Sequence, residues 1–541
     1  MLARLLLLAV IPCSWASAQS LPKDILGSYQ QAMVNNRSEA RPRAFSSGPG
    51  TDGRFSSWTY HSNGLVGAWT YGSNLDLSAI LGRQSAYRSS KELEQLYGQV
   101  PQHTLQAKAE YGDQTGLSRI LRNAASSGAK QIFVVVVDGL GANFVSAASD
   151  WYGSEALAWL AYEAKIADEP TAQSGRLVTS SHTSGTLRGG FDPTRALGPA
   201  EDLYYLTGQT RSDSEASPHA VTDSAASASS IFSGIKTYNG SINYDINGKA
   251  HEPLGAFLQA KGWRVGAVTD VPFSHATPAA FYAQAPQRRQ HWNIAKQMLG
   301  RAGQRRPDGR KLSGLDLVMG SGYEQPGTDP SKTYIDPEDL SGLQEDSSPY
   351  LVHIPKLHVG SDALRSAANE VIHNIGQKSG PQRLFVFTGD ESLTHLPYRT
   401  ANGDYLPVDS IASVHNGEQR RRERETYSPE QLRAQPNLAT MTQVAIEVLA
   451  AHQERFALLV EAGQFDWAMH ANSVDNGMGE ILSVAQVFDC IRDWVERQPG
   501  GWDDAVLVIT ADHDHAIRFD QEAYAKLRAG DMPFWIQSTR E

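Results

Sequence analysis

From about residue 115 the chain is built of short apolar blocks separated by amphipathic ones. Gly116–Ser127 carries the apolar spacing of a helix. QIFVVVVDG follows, and its run Ile132–Val137 has no polar position at all. A strand without a polar face is covered on both sides, as in a parallel sheet between helices. Similar runs recur in WRVGAVTD (263–270), LDLVMGSG (315–322), LFVFTGDE (384–391), FALLVEAG (456–463) and AVLVITADHDH (505–515). Helical patterns lie between several of them, for example Asn437–Ala451. This alternation predicts an α/β domain: a three-layer sandwich with a largely parallel central sheet and helices on both faces. Residues 300–435 hold more proline, glycine and charge around their strands and read as surface insertions. No internal repeat is visible.

The first hundred residues read differently. Residues 21–110 are rich in Ser, Gly, Asn and Arg, with scattered aromatics (Trp58, Tyr60, Trp69, Tyr71) and no chemical motif. Residues 19–114 are therefore expected to form an N-terminal extension that packs on a main domain of residues 115–541. Ahead of it, MLARLLLLAVIPCSWASA has Arg4 as a positive start, Leu5–Ile11 as an apolar stretch and Ala16-Ser17-Ala18 as a cleavage site. That is the pattern of a secretory signal peptide over residues 1–18, too short for a membrane span. Cys13 invites a lipoprotein reading, which Pro12 before it fits poorly. The expected location is secreted or periplasmic, without stable membrane insertion. After cleavage only Cys490 would remain, so no internal disulfide is expected.

Composition narrows the partners. At 541 residues, 40% hydrophobic and 20% charged, the chain can bury a large core. Its formal net charge of −11 argues against nucleic acid as a partner. The most basic run, RRRER at Arg420–Arg424, reads as a solvated face.

Chemistry enters where the apolar runs end. Four of them finish in acids: Asp138, Asp270, Glu461 and Asp512. In open α/β sheets ligands bind beyond the carboxyl ends of the strands. Acids converging there repel one another unless cations lie between them, although a single such acid is more often a helix cap. VEAGQFDWAMH adds Asp466 and His470 at i, i+4, which share a helix face. Carboxylate with imidazole suits zinc. TADHDH places Asp512 and His513 side by side after a strand, with Asp514 read as a surface residue and His515 as orienting a ligand from behind. In HATPAAFYAQAPQRR (275–289), Thr277 offers a hydroxyl to a hard cation and Arg288 or Arg289 a bidentate grip on phosphate. In HAVTDSAASASSIFSGIKTYNG (219–240), Thr222 or Asp223 would cap a helix that starts at Ser224. Free N–H groups and the helix dipole favour an anion there. A serine needs a base or a metal to become a strong nucleophile.

These segments resemble the alkaline phosphatase family. DSAASA (223–228) running into SGIKTYNG (233–240) resembles the family's nucleophile segment. VVVDGLG (135–141), HATPAA (275–280), VEAGQFDWAMH (460–470) and VITADHDH (508–515) look like its other motifs, in the family's order, and DLVMGSG (316–322) like a strand without catalytic role. The resemblance spans roughly residues 115–541. It implies a phosphatase for phosphate monoesters with Ser224 as the nucleophile that becomes phosphoserine and Arg288 as the phosphate clamp. It implies two zinc ions and one magnesium: Asp138, Asp512 and His513 for the zinc beside Ser224, Asp466 and His470 for the other, and Asp138, Thr277 and Glu461 for magnesium. Family members are often dimers, which makes a homodimer the implied assembly.

Two positions depart from the family. His275 stands where some bacterial members have an aspartate beside the magnesium, which implies altered magnesium affinity. The family takes a third ligand of the leaving-group zinc from a histidine downstream of the TADH segment, and no histidine follows His515. The expectation is a truncated chain whose second zinc keeps two protein ligands and binds weakly. A degraded, non-catalytic phosphate- or metal-binding relative is then an alternative, as is a phosphodiesterase of the same superfamily. A sulfatase would need a Cys- or Ser-x-Pro-x-Arg segment, which DSAASA is not.

Overall fold

The apolar runs form adjacent strands of one ten-stranded sheet. The structure, a computed structural model, describes residues 61–165, 171–182, 190–197, 221–301, 303, 311–323, 334–354, 360–389, 394–405, 412–415, 418–421, 426–452, 455–470 and 473–515, with 525, 528 and 529 beyond. The expected signal peptide at residues 1–18 and most of the RRRER run lie outside these.

The sheet strands are β1 (Val66–Tyr71), β2 (Gly112–Asp113), β3 (Gln131–Val137), β4 (Ala172–Val178), β5 (Arg264–Pro272), β6 (Leu317–Ser321), β7 (Tyr350–His353), β8 (Arg383–Phe387), β9 (Phe456–Ala462) and β10 (Ala505–Thr510). Their order across the sheet is β2-β4-β1-β10-β3-β9-β5-β6-β8-β7. From β10 to β7 every neighbouring pair is parallel. Every residue of β3, β9 and β10 is buried. Successive side chains of a strand point to opposite faces, so both faces of the sheet's centre are covered. The fold is an α/β sandwich, as the unbroken apolar runs predict.

Helices supply the cover. Helix α1 (Thr115–Ser126) buries Leu117, Ile120, Leu121 and Ala124. Helix α4 (Leu438–His452) buries Leu438, Met441, Val444, Ala445, Val448 and Leu449, the i, i+3, i+4 stripe expected of a core-facing helix. Helices α2 (Ser224–Ser233), α3 (Ala276–Tyr282), α5 (Gln464–His470) and α6 (Val474–Arg497) lie between the remaining strands in sequence.

The structure departs from expectation at the N-terminal side. Residues 66–71, read as part of an extension outside the main domain, are strand β1 within the sheet. β1 pairs antiparallel with both β10 and β4. The run VGAWTY is short and mixes Gly and Thr with apolar residues, so its periodicity is weak. Its partners lie about one hundred and more than four hundred residues further along the chain, which no local pattern reports. Within the region expected to hold insertions, β6, β7 and β8 complete one side of the sheet, and Ala412–His415 pairs with Glu418–Arg421 as a separate hairpin.

Candidate active site

Because β3, β5, β9 and β10 run parallel, their carboxyl ends share one edge. In register, Val136 of β3 lies opposite Glu461 and opposite Thr510. Asp138 and Asp512 each follow two residues after these β3 and β10 positions. β1 runs the other way, so its entry, not its exit, is at this edge: Ala68 pairs with Thr510. The residues preceding β1 therefore come down beside the acids.

Ser224 is the first residue of α2. Asp223 is the cap: its Oδ1 accepts from the Ala226 amide at 3.0 Å, and its Oδ2 from the Gly240 amide at 2.9 Å and from Arg288 Nη1 at 3.1 Å. Burial pushes this carboxyl up, but Arg288 and the two amides outweigh it and hold Asp223 below the ordinary aspartate value. All residues from Ser224 to Phe232 are buried, and α2 packs against α1 and α3. The small residues allow that close approach. The helix serines can be buried because they satisfy themselves: Ser229 Oγ donates to Ala225 O at 2.7 Å and Ser230 Oγ to Ala226 O at 3.2 Å.

The acid side of the site surrounds the Ser224 hydroxyl. Ser224 Oγ donates to Asp138 Oδ1 at 3.3 Å and lies 3.4 Å from His513 Nε2. His513 Nε2 is also 3.2 Å from Asp138 Oδ1 and 3.5 Å from Asp512 Oδ2. Asp512 Oδ1 accepts from the amides of Gly139 and His513, both at 2.9 Å. Gly139 has φ +81°, and a Cβ there would lie 2.6 Å from the His515 ring, so VVVDGLG needs its glycine at this turn. Glu461 accepts from Thr269 Oγ1 at 2.5 Å and from His275 Nδ1 at 2.8 Å. Arg288 Nη2 can only donate, so His275 Nε2 accepts it at 3.1 Å and the ring proton sits on Nδ1. Burial, then repulsion from Asp466 and Glu461, pushes Asp138 well above the aspartate range. Burial and the neighbouring Asp138 raise Asp512 to about 8.

The histidine side is centred on Asp466. Its Oδ1 accepts from His515 Nε2 at 2.7 Å, with His470 Nε2 at 3.3 Å and His61 Nε2 at 3.5 Å. Burial would raise this carboxyl too, but the imidazoles of His470, His515 and His61 hold it well below the usual value.

Most of the residues singled out in the sequence thus meet at one edge; Thr277 and Asp270 stand apart. Thr277 is buried near the start of α3, and its hydroxyl has no hydrogen-bond partner among the described residues. Of the alternatives Arg288 and Arg289, Arg288 faces Asp223. Asp270 differs from the other strand-ending acids. Its Oδ1 accepts from the amides of Gly463 and Gln464 at 2.7 and 3.1 Å, so it caps α5. Asp514, read as a surface residue, is buried and accepts from Ser62 Oγ at 2.7 Å. His61 also lies in this cluster, 3.5 Å from Asp466 Oδ1, although nothing in its sequence surroundings marks it. Its only sequence signal is a histidine followed by small residues (HSNG) ahead of a short strand.

Atoms available for cations are present. Asp138, His275 and Glu461 form one group of converging ligand atoms, Asp138, Asp512 and His513 a second, and His61, Asp466, His513 and His515 a third. Asp138 Oδ2, Asp512 Oδ2 and Thr277 Oγ1 are buried without hydrogen-bond partners. Leaving such atoms unsatisfied costs about 1–3 kcal/mol each, so the Asp138–Asp512–His513 group, which holds two of them, fits a cation.

Residues 192–534, more than half of the chain, match the sequence model of the alkaline phosphatase family. The chain is 27% identical over 327 residues to alkaline phosphatase of Escherichia coli (strain K12), covering 58% of this chain and 63% of that relative. It is 27% identical over 330 residues to the repressible alkaline phosphatase of Saccharomyces cerevisiae, covering 58% and 50%. The match therefore spans less than two thirds of these relatives' length. Among solved structures, that of Thermus thermophilus alkaline phosphatase aligns with a TM-score of 0.45 at 22% identity, covering 72% of this chain and 60% of that one. The extent of the family match, reaching from ahead of the Ser224 helix to beyond the last acidic strand end, is decisive: the chain belongs to the alkaline phosphatase family.

Proposed function

We propose that the protein is a secreted or periplasmic phosphatase that hydrolyses phosphate monoesters through a phosphoserine on Ser224. The observation that carries this reading is the Ser224 hydroxyl at a helix start, within 3.3 Å of Asp138 and 3.4 Å of His513, with Arg288 anchored on the cap residue beside it. The helix N-terminus and Arg288 favour the phosphoryl group's negative charge. Asp223 fixes both, since one carboxylate holds the amides of Ala226 and Gly240 and the guanidinium. Ser224 Oγ forms the bond to phosphorus while the ester oxygen leaves with the bonding pair and takes up a proton. Water then cleaves the phosphoserine, restoring the hydroxyl and releasing phosphate.

In this reading Asp138, Asp512 and His513 hold one zinc, Asp466 and His470 another, and Asp138, Thr277 and Glu461 a magnesium. When bound, such ions lower the pKa of attacking oxygens and neutralise charge on leaving ones. Phosphate-monoester hydrolysis is slow enough that enzymes accelerate it up to ~10²¹-fold. One hydrogen-bond donor typically contributes only about 3–4 kcal/mol to a transition state. Arg288 and the helix amides alone fall far short of that.

The test is turnover of p-nitrophenyl phosphate at alkaline pH with zinc and magnesium added. Activity is expected, with a loss of at least about 10³-fold in Ser224→Ala. Absence of turnover at any metal level would favour a non-catalytic relative. Preference for bis-p-nitrophenyl phosphate would favour a phosphodiesterase.

A further inference from the structure

We propose that His61, from the N-terminal side of strand β1, is the third protein ligand of the metal ion held by Asp466 and His470. The inference rests on the metal-dependent reading above and adds to it a residue outside the segments that resemble the family and outside residues 192–534.

The ring is oriented for this role. His61 Nδ1 lies 3.0 Å from the backbone carbonyl of Thr222. A carbonyl only accepts, so Nδ1 carries the proton and Nε2 turns its lone pair toward the cluster. Nε2 is 2.9 Å from His470 Nε2 and 3.5 Å from Asp466 Oδ1, and the last two are 3.3 Å apart. Ligand atoms about 2.0–2.1 Å from a tetrahedral zinc are separated by roughly 3.3 Å. The triangle His61–Asp466–His470 has edges close to that length. His515 does not fit the same role. At 2.7 Å from Asp466 Oδ1 its Nε2 is at hydrogen-bond distance, so it positions the carboxylate and is not a co-ligand. His513 Nε2 lies nearer Asp138 Oδ1 (3.2 Å) and Ser224 Oγ (3.4 Å) than Asp466 Oδ1 (3.8 Å).

The backbone holds His61 in place. His61 and Ser62 pair with His515 and Asp514 as a two-residue antiparallel ladder. Ser62 Oγ donates to Asp514 Oδ2, the Gly64 amide to Ser62 Oγ at 3.0 Å, and the Thr222 amide to Asn63 Oδ1 at 3.2 Å. A Cβ at Gly64 would lie 2.1 Å from Asp514 Oδ2, so the chain passes there only as glycine. The His61 ring stacks on His513 with centroids 3.7 Å apart. The metal position is thereby complete only when β1 is seated between β4 and β10.

The experiment uses the full chain stripped of metal with a chelator. Zinc per chain is counted after reloading, and Co²⁺ is titrated with visible absorption as the readout. His61→Ala is expected to bind the ion at the Asp466–His470 position at least about 10–100-fold more weakly. The position at Asp138–Asp512–His513 should be retained, and His61→Cys, which keeps a ligand atom, should restore most of the affinity. In the wild type, zinc should slow hydrogen exchange at residues 61–65, a readout that does not depend on a variant folding. Wild-type stoichiometry and affinity in His61→Ala, or exchange at 61–65 indifferent to zinc, would overturn the proposal while leaving a phosphatase reading intact. A wild type that binds zinc this way but turns over no monoester would support His61 and sink the phosphatase. A wild type that binds no zinc overturns both.

Discussion

The two halves of the site hold buried carboxylates in opposite ways. On one half burial, then repulsion from Asp466 and Glu461, drives Asp138 upward, and burial, then repulsion from Asp138, drives Asp512 upward. On the other half Asp466 is equally enclosed, yet three imidazoles keep it ionised. Burial is common to both, so it does not decide the charge state. The neighbours do. The acid half is an electrostatic conflict that a cation relieves. The histidine half is already balanced, so a cation there has no repulsion to quench.

Replacing one acid from each half sharpens this contrast. Asp138 belongs to both acid groups, so Asp138→Asn should lower p-nitrophenyl phosphate turnover by at least about 10³-fold. In the metal-free protein the two substitutions should move stability in opposite directions. Asp466→Asn removes the common partner of three imidazoles and should destabilise by about 3–5 kcal/mol. Asp138→Asn removes the cost of keeping that carboxyl protonated in the folded state and should stabilise by about 1–3 kcal/mol at pH 8. Denaturant unfolding with a chelator present measures both, and equal signs would break the comparison.

The pH dependence of the metal-free protein follows from the same difference. The unfolded chain releases aspartate protons near pH 4, whereas folded Asp512 keeps its proton to about 8 and Asp138 is raised well above the ordinary aspartate range. The folded state binds more protons between these values, so stability should fall as pH rises from about 4 to about 8. Asp466, depressed in the folded state, loses its contribution only below pH 4. Loading with zinc and magnesium should flatten the slope, as thermal unfolding across pH would show. Glu480 supplies a smaller effect away from the candidate ligands. Burial, then repulsion from Asp270, raises it to about 8, and its Oε1 accepts the Arg399 amide at 3.1 Å. Glu480→Gln keeps that acceptor. It should remove on the order of 1–2 kcal/mol of stability loss at pH 8 relative to pH 5, in metal-loaded protein as well.

Much of this molecule was legible locally. The unbroken apolar runs at 132–137, 456–462 and 505–510 announce buried parallel strands, and such strands align their carboxyl ends whatever the connections. Asp138, Glu461 and Asp512 are therefore readable as neighbours from their place after those runs. The cap at Asp223 and the i, i+4 pair Asp466–His470 are local geometry as well. Asp270 was misleading for a physical reason. It ends a strand like the others, but its Oδ1 is held by the amides of Gly463 and Gln464 at the start of α5, and it joins none of the converging ligand groups among the described residues.

The chain's own order of residues determined the sandwich, the acidic edge and the capped serine, because periodicity, strand direction and helix capping act within a few residues of each other. Only the tertiary structure decided that β1 slots antiparallel between β4 and β10, and so that His61 meets His470 across more than four hundred residues. Strand pairing between such distant segments depends on which sheet edges are open once the core has formed, and no short-range pattern encodes that.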